Sequence, residues 1–494
     1  MLIGRDGTVR NVIVGDASGL LLPEIGRLRG GTGRFRGLRL VHTHLKGEPL
    51  SHDDLNDLIL LRLDLVAMVE VEDDGGPGRC EATYLDPAAL AASAEGQSSE
   101  EPLLKVDART VHDLDLNFNA TIQALEEEFA RVAERASGPE GVERALVVGI
   151  RPEDSHFEET VELVRSAGVL IAATIRQPRF RVHPKTVVGK GKLEELVLEA
   201  MRRNASVAIF DINLKPAQAR AFEDATGLKA IDRTQLILDI FAQRARSADG
   251  KLQVELAQLR YSLPRLTEKD EGLSRLTGGI GGRGPGETVM EVGRRRIRDR
   301  IRLLEKRVEK LSRQRDVRRR RRRRDGIPVL SIVGYTNAGK STLLNALTES
   351  RVDADDKLFM TLDPTSRRLR FPREGEVIIT DTVGFIADLP RELVNAFRAT
   401  LEELVDVDLL LHVIDSADAD LDAKIEAVQK VLEELGVRHV PVLKVLNKTD
   451  LLAAGEVAAQ RRRIGGITVS ATRRTGLLEL IESAEAKLSG RVPA

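Results

Sequence analysis

A chain of 494 residues, 42% apolar and 31% charged, is too long for one core and suggests about three domains. A formal net charge of −1 excludes a uniformly basic or acidic protein, and a single cysteine, Cys80, excludes an internal disulfide framework and fits a reducing cytoplasm. The opening MLIGRDGTVR lacks a signal peptide's apolar stretch, and no window approaches about 18 uninterrupted apolar residues, so a cytoplasmic protein without a membrane span is expected.

Residues 1–72 form an N-terminal α+β extension: short apolar runs at Val12–Val14 and Leu38–Val41, then an apolar helical stretch from Leu55 to Val69. Residues 73–114, with EDDGGPG and AASAEGQSSEEP, read as an acidic flexible linker. A connecting helix around Phe118–Arg135 occupies 115–143. In 144–233, buried strands at Ala145–Ile150, Val169–Ile175 and Val207–Phe210 alternate with helices, which predicts a small parallel α/β domain. Residues 234–326 hold two long helical stretches, Thr234–Leu263 and Glu287–Arg323, joined through the glycine-rich Thr277–Glu287. An antiparallel helical arm with a glycine tip is the economical reading. Residues 327–494 alternate strands (Val329–Val333, Val377–Thr380, Leu409–Ile414, Val442–Leu446, Ile467–Val469) with helices such as Glu392–Val405 and Leu421–Leu435, as a doubly wound parallel sheet requires.

That last region carries the chemistry. Gly334, Tyr335, Thr336, Asn337, Ala338, Gly339, Lys340 and Ser341 fit G-x-x-x-x-G-K-[ST], after an apolar strand and before a helix opening with Thr342. Glycines let backbone N–H groups turn toward phosphate oxygens, Lys340 supplies charge to the β- and γ-phosphates, and Ser341 offers a hydroxyl to Mg²⁺. Asp381, at the end of the next strand, opens D-x-x-G: its carboxylate would hold Mg²⁺ through water, and the Gly384 N–H would reach the γ-phosphate. Asn447, Lys448 and Asp450 close another strand. A carboxylate at Asp450 can accept from guanine N1–H and the exocyclic amine, which adenine does not offer. Ser470 and Ala471 follow the last strand, where the Ala471 N–H can face guanine O6. In this order, these motifs imply a P-loop GTPase binding GTP or GDP with Mg²⁺.

Two further residues bear on turnover. Thr361, favoured over Thr365, would complete Mg²⁺ coordination while the γ-phosphate is present. Phe385 stands after the D-x-x-G glycine, where Ras-like GTPases carry the glutamine that orients the attacking water. A phenyl ring makes no such hydrogen bond, so hydrolysis is expected to be slow alone and to need a partner.

These motifs and their neighbours, VGYTNAGKSTLLNAL, DKLFMTLDPTSRRL, TDTVGFIADLP, HPKTVVGKGKLEEL, KLQVELAQLRYSLPRL and GGIGGRGPGE, resemble the HflX family over roughly residues 144–485. The resemblance implies a translation-associated GTPase that binds the large ribosomal subunit and ribosomal RNA and splits or rescues stalled ribosomes under stress. It implies a cytoplasmic location, with peripheral membrane association through ribosomes as a variant. It also implies that the loop Gly278–Glu287, including Arg283, approaches ribosomal RNA. TVMEVGRRR departs from the family's usual run after that loop. The residues of the arm agree: it is basic and ends in seven consecutive arginines, Arg318–Arg324, which either contact RNA phosphates, pair with the acidic linker, or are simply solvated. The glycine segment Val187–Lys192 either binds a phosphate or is a tight turn before a helix.

The extension resembles a degenerate JAB/MPN domain, through His42, His44, Ser51 and Asp54. Two histidines and an aspartate can form a three-ligand zinc site. The spacing is a residue short, no upstream glutamate can be placed, and such a domain would want more chain before Met1. Two alternatives to the ribosomal reading follow: a signalling or scaffold GTPase whose extension meets an unknown partner, and a GTP-gated metalloenzyme.

Overall fold

A computed structural model describes residues 1–15, 22, 35–45, 47–86, 103–114, 117–135, 143–179, 181–266, 289–324, 327–348, 359, 365–371, 375–381, 384–386, 404 and 407–490, with the backbone alone at 128–130, 132–135, 289–291, 314–324 and 365. The chain divides into two units, Met1–Arg233 and Thr234–Ala494.

In chain order the first unit holds β1 (Leu2–Gly4), β2 (Val9–Asn11), β3 (Leu38–His44), α1 (His52–Leu60), β4 (Leu65–Val71), β5 (Pro77–Leu85), β6 (Leu103–Ala108), α2 (Phe118–Arg135), β7 (Arg144–Gly149), α3 (Asp154–Ser166), β8 (Leu170–Arg176), α4 (Lys190–Arg203), β9 (Val207–Phe210), α5 (Pro216–Thr226) and β10 (Lys229–Ile231). The first sheet runs β2-β1-β3-β4-β5-β6. Only β3 and β4 pair in parallel, because α1 carries the chain across between them. Leu40, Leu58, Leu63, Val66 and Met68 close the core under α1.

Two expectations fail here. The helix foreseen over Leu55–Val69 stops at Leu60; Arg62 turns through a left-handed φ of 51°, and the run that follows is β4. A continuous apolar run carries no period, and pairing on both edges, to β3 and β5, decides it for strand. Within the expected linker 73–114, residues 77–85 and 103–108 instead form β5 and β6, and Gly75 and Gly76 make a hairpin turn in which Glu72 N–H donates to Gly76 O at 2.9 Å; residues 87–102, with AASAEGQSSEEP, lie outside the described residues. The acidic Glu81 inside β5 is buried, with Arg79 3.6 Å away. Nor is α2 a bare connector: Ile122 and Leu125 pack with Ile59, Leu85, Val197 and Met201.

The second sheet, β10-β9-β7-β8, is parallel throughout as expected, with Leu146, Val148, Leu196, Phe210 and Phe222 at its core. Before α4, Val187 at φ 71° exchanges two backbone hydrogen bonds with His183, and Gly189 caps the helix. Lys190 pairs with Asp53 and Lys192 with Glu195. These contacts favour the turn reading of that glycine segment.

The second unit comprises α6 (which begins one residue earlier, Arg233–Arg244), α7 (Ala248–Ser262), α8 (Val289–Arg324), β11 (Val329–Gly334), α9 (Lys340–Thr348), β12 (Thr365–Arg370), β13 (Glu376–Asp381), β14 (Leu409–Asp415), α10 (Leu421–Glu434), β15 (Val442–Asn447), α11 (Ala454–Ile464), β16 (Ile467–Thr468) and α12 (Leu477–Leu488). The first helical stretch is thus broken: Ser247 accepts from Gly250 N–H at 2.9 Å and starts α7 afresh. The arm proper is α7 against α8, sealed by Leu256, Ile301 and Leu304 with Leu252, Leu259, Ile297 and Val308 around them. Burying one such leucine contributes about 1.5–3 kcal/mol, whereas the exposed Arg260–Glu305 and Arg300–Glu255 pairs add little. The arginine run 318–324 lies in α8. Residues 277–287, with Arg283, fall outside the described residues.

The third sheet, β12-β13-β11-β14-β15-β16, is parallel except at its edge. There β12 pairs antiparallel with β13, correcting the all-parallel expectation. The sequence TSRRLR hides that strand, because an edge strand tolerates charge. Of the expected helix 392–405 only Leu404 is among the described residues. No described helix is long and apolar enough to cross a membrane.

Candidate functional site

The loop 334–341 joins β11 to α9 at the carboxyl edge of the third sheet, where open α/β sheets receive ligands. Gly339 and Gly384 are sterically required. At Gly339, with φ +85°, a Cβ would lie 2.4 Å from Asn447 Nδ2; at Gly384 it would lie 2.8 Å from Thr336 Cγ2 and 3.0 Å from Lys340 Nζ. Lys340 is buried, donates to Tyr335 O at 2.7 Å, and is pushed down to about 8 by burial, with Asp381 opposing the shift. Ser341 Oγ donates to the buried Asp381 carboxylate at 2.7 Å. Asn337 adopts a left-handed φ of 60° on the exposed side of the loop, and Ala338 is buried. Thr342 follows in the first turn of α9.

The base-side residues close on the same edge. The Asn447 side chain donates to Ala338 O at 2.9 Å and accepts from Ala471 N–H at 3.1 Å, so one buried amide holds the phosphate loop and the last loop together. Asp450 accepts from Ser470 Oγ at 2.6 Å, and that bond foremost holds its carboxyl below the usual carboxylate range. It therefore stays ionised and able to accept. Lys448, at a left-handed φ of 61°, pairs with Asp415 at 2.7 Å. Asp415, at the end of β14, escaped the sequence reading because it belongs to no motif. Its place at a strand's carboxyl end beside Asn447, its register partner on β15, was the available signal.

The family described as "GTP-binding GTPase N-terminal" matches residues 154–242, "GTP-binding GTPase Middle Region" matches 244–322, and "50S ribosome-binding GTPase" matches 329–448. "GTPase HflX" of Caldanaerobacter subterraneus is 50% identical over 349 residues, spanning 70% of this chain and 81% of that protein. "GTPase HflX" of Escherichia coli is 47% identical over 357 residues, spanning 71% and 84%. The chain belongs to the HflX family of GTPases. A solved GDP complex of a GTP-binding protein from Sulfolobus solfataricus is 25% identical, with 70% of this chain and 99% of that one aligned and a TM-score of 0.39. The HflX chain is a GTPase.

Thr361 lies outside the described residues. Its alternative, Thr365, opens β12 opposite Asp381. Phe385 is buried at 1% exposure, and its backbone is zipped to the phosphate loop: Thr336 N–H donates to Phe385 O at 2.7 Å and Phe385 N–H to Gly334 O at 3.1 Å. In the other unit, His42, His44 and Asp54 do converge, with ligand atoms within 4.8 Å of one another. They precede every matched family region.

The depressed Lys340 gives a pH dependence of defined sign. Phosphate oxygens brought against it restore its charge, so nucleotide binding takes up a proton above about pH 8. GDP affinity is expected to fall by up to about tenfold per pH unit between about pH 8 and 9.5, and Lys340→Met removes that slope. Equilibrium titration with a fluorescent GDP analogue measures it; equal slopes in the two proteins would show that Lys340 stays charged throughout.

Proposed function

We propose that this HflX-family GTPase associates with the large ribosomal subunit in a GTP-dependent manner and splits or rescues stalled ribosomes in the cytoplasm. In this reading the loop 334–342, with Lys340 and the Gly384 N–H, binds the phosphates, while Asn447, Lys448, Asp450, Ser470 and Ala471 enclose the guanine. Ser341 and Asp381 hold Mg²⁺, joined by Thr361. A hydroxyl and a buried carboxylate 2.7 Å apart suit a hard cation that takes oxygen ligands. When bound, that ion would neutralise charge on the β- and γ-phosphates.

The observation that carries the ribosomal reading is the charge of the arm. Between Arg294 and Arg313, α8 bears ten basic and three acidic side chains. Arg295, Arg296, Arg298, Arg302, Lys306, Arg307 and Lys310 are exposed, while Ile301 and Leu304 face α7. A rigid two-helix rod with a basic outer face meets the phosphate backbone of RNA without reading bases. The family description "50S ribosome-binding GTPase" at residues 329–448 supports the same partner. Phe385 offers no hydrogen bond to an attacking water, so the partner's arrival is also what makes hydrolysis fast.

Guanine selection is tested by Asp450→Asn. Loss of two charge-assisted hydrogen bonds, each about 1.5–3 kcal/mol, lowers GTP affinity by about 100-fold or more, and xanthosine triphosphate gains because the Asn amide donates to its C2 carbonyl. Competition for a labelled nucleotide reads both, and unchanged preference for GTP would remove Asp450 from the base site. The ribosomal role is tested by sedimentation with 50S subunits. Binding in a non-hydrolysable GTP analogue but not in GDP, weakening steeply with salt and on replacement of Arg298, Arg302 and Lys306 by Ala, is expected. Absence of nucleotide-dependent sedimentation would sink the reading.

A further inference from the structure

Outside the nucleotide site, one cluster stands apart in the described residues. His42 and His44 alternate on β3 and so share a face of the first sheet, and Asp54 enters from the first turn of α1. His42 Nε2 lies 2.9 Å from His44 Nε2 and 3.3 Å from Asp54 Oδ1. Around it, the second polar atoms of His44 and Asp54 are spoken for. His44 Nδ1 is 2.6 Å from Glu48 O, a carbonyl that can only accept, which places the proton on Nδ1 and leaves a lone pair on Nε2. Asp54 Oδ2 accepts from Ser51 N–H at 2.8 Å and from Ser51 Oγ at 2.6 Å, which turns Oδ1 inward.

The protons alone do not satisfy this arrangement. His42 is 7% exposed and its Nδ1 is buried without a hydrogen-bond partner. With the proton on Nδ1, three lone pairs, from two imidazoles and a carboxylate, converge unopposed. With it on Nε2, one acceptor of two is served and the Nδ1 lone pair is left buried and unpaired. A cation at the centre satisfies all three ligand atoms, whereas His42 Nδ1 has no protein partner in either case. Ligands about 2.0–2.1 Å from a tetrahedral Zn²⁺ stand about 3.3 Å apart; His42 Nε2 lies 2.9 and 3.3 Å from the other two ligand atoms, and with the whole set within 4.8 Å, binding draws His44 Nε2 and Asp54 Oδ1 toward the ion. Nitrogen with one carboxylate oxygen suits Zn²⁺ better than Ca²⁺ or Mg²⁺, which take oxygen. The carbonyl behind His44 and the serine behind Asp54 are the orienting partners such ligands need.

We propose that His42 Nε2, His44 Nε2 and Asp54 Oδ1 bind one zinc-class divalent cation, a solvent molecule completing the tetrahedron, and that the ion fastens the start of α1 to β3. The consequence is local order in the extension. Asp53, next to the ligand, pairs with Lys190 at the start of α4, and Ile59 of α1 packs with Val197 and Met201 of the same helix. A cation that fixes the first turn of α1 therefore steadies the surface on which α4 rests.

Full-length protein, stripped with a chelator and dialysed, is titrated at neutral pH with Zn²⁺ against a chromophoric chelator, and with Co²⁺ by visible absorption. One tight equivalent and intense tetrahedral Co²⁺ bands are expected, together with a Zn²⁺-dependent rise in Tm. His44→Gln and Asp54→Asn, both at partly exposed positions and close in size, should weaken binding by more than about 100-fold, beyond the loss of an outer partner, and abolish the Tm shift. Zinc bound no more tightly by the wild type than by these variants, or a weak octahedral Co²⁺ spectrum, overturns the proposal. Should the variants melt lower even without metal, the wild-type stoichiometry and Co²⁺ spectrum decide it alone.

Discussion

A single buried carboxamide holds the two halves of the nucleotide site at their working distance. Asn447 reaches back to the Ala338 carbonyl in the phosphate loop and forward to the Ala471 N–H. It lies against Gly339 so closely that no Cβ could stand there. Loops from opposite ends of the domain's sequence are thereby one object. In the proposed site, a triphosphate on one side and a base on the other would be measured against that fixed frame, which is what binding a whole nucleotide rather than a fragment requires.

The same frame explains the behaviour expected of the switch side. Gly384 stands against Lys340 and Thr336, and the next residue is zipped to the phosphate loop through its backbone while its phenyl ring is buried. That geometry ties the phosphate loop to the chain beyond Asp381, and Phe385 itself offers no group to activate water. Basic charge lies elsewhere in the same unit, on α8, whose apolar stripe is spent on α7. The nucleotide motifs and the exposed basic charge thus lie on separate elements, the arrangement that the proposed partner-engaged switch requires.

Much of the candidate nucleotide site was legible because its motifs are contiguous residues at strand ends: 334–341, Asp381, Asn447–Asp450 and Ser470-Ala471 could be proposed without tertiary knowledge. Asp415 was not legible, since a lone aspartate gains meaning only when β14 and β15 lie side by side. The edge strand Thr365–Arg370 was hidden by its charge, and β4 by a run without period. EDDGGPG at 72–78 misled through composition, as glycine and aspartate spell a hairpin turn as readily as a linker. The break between α6 and α7 turned on one capping serine. By contrast His42, His44 and Asp54 were picked out by a resemblance in spacing, and only the fold shows their ligand atoms within 4.8 Å of one another.

Single-turnover GTP hydrolysis, with and without purified 50S subunits, tests the partner-dependent switch most directly. The account predicts slow cleavage by the protein alone and acceleration by at least about 100-fold with subunits, within the span partner-supplied groups provide elsewhere. A fast intrinsic rate that ribosomal subunits leave unchanged would contradict it.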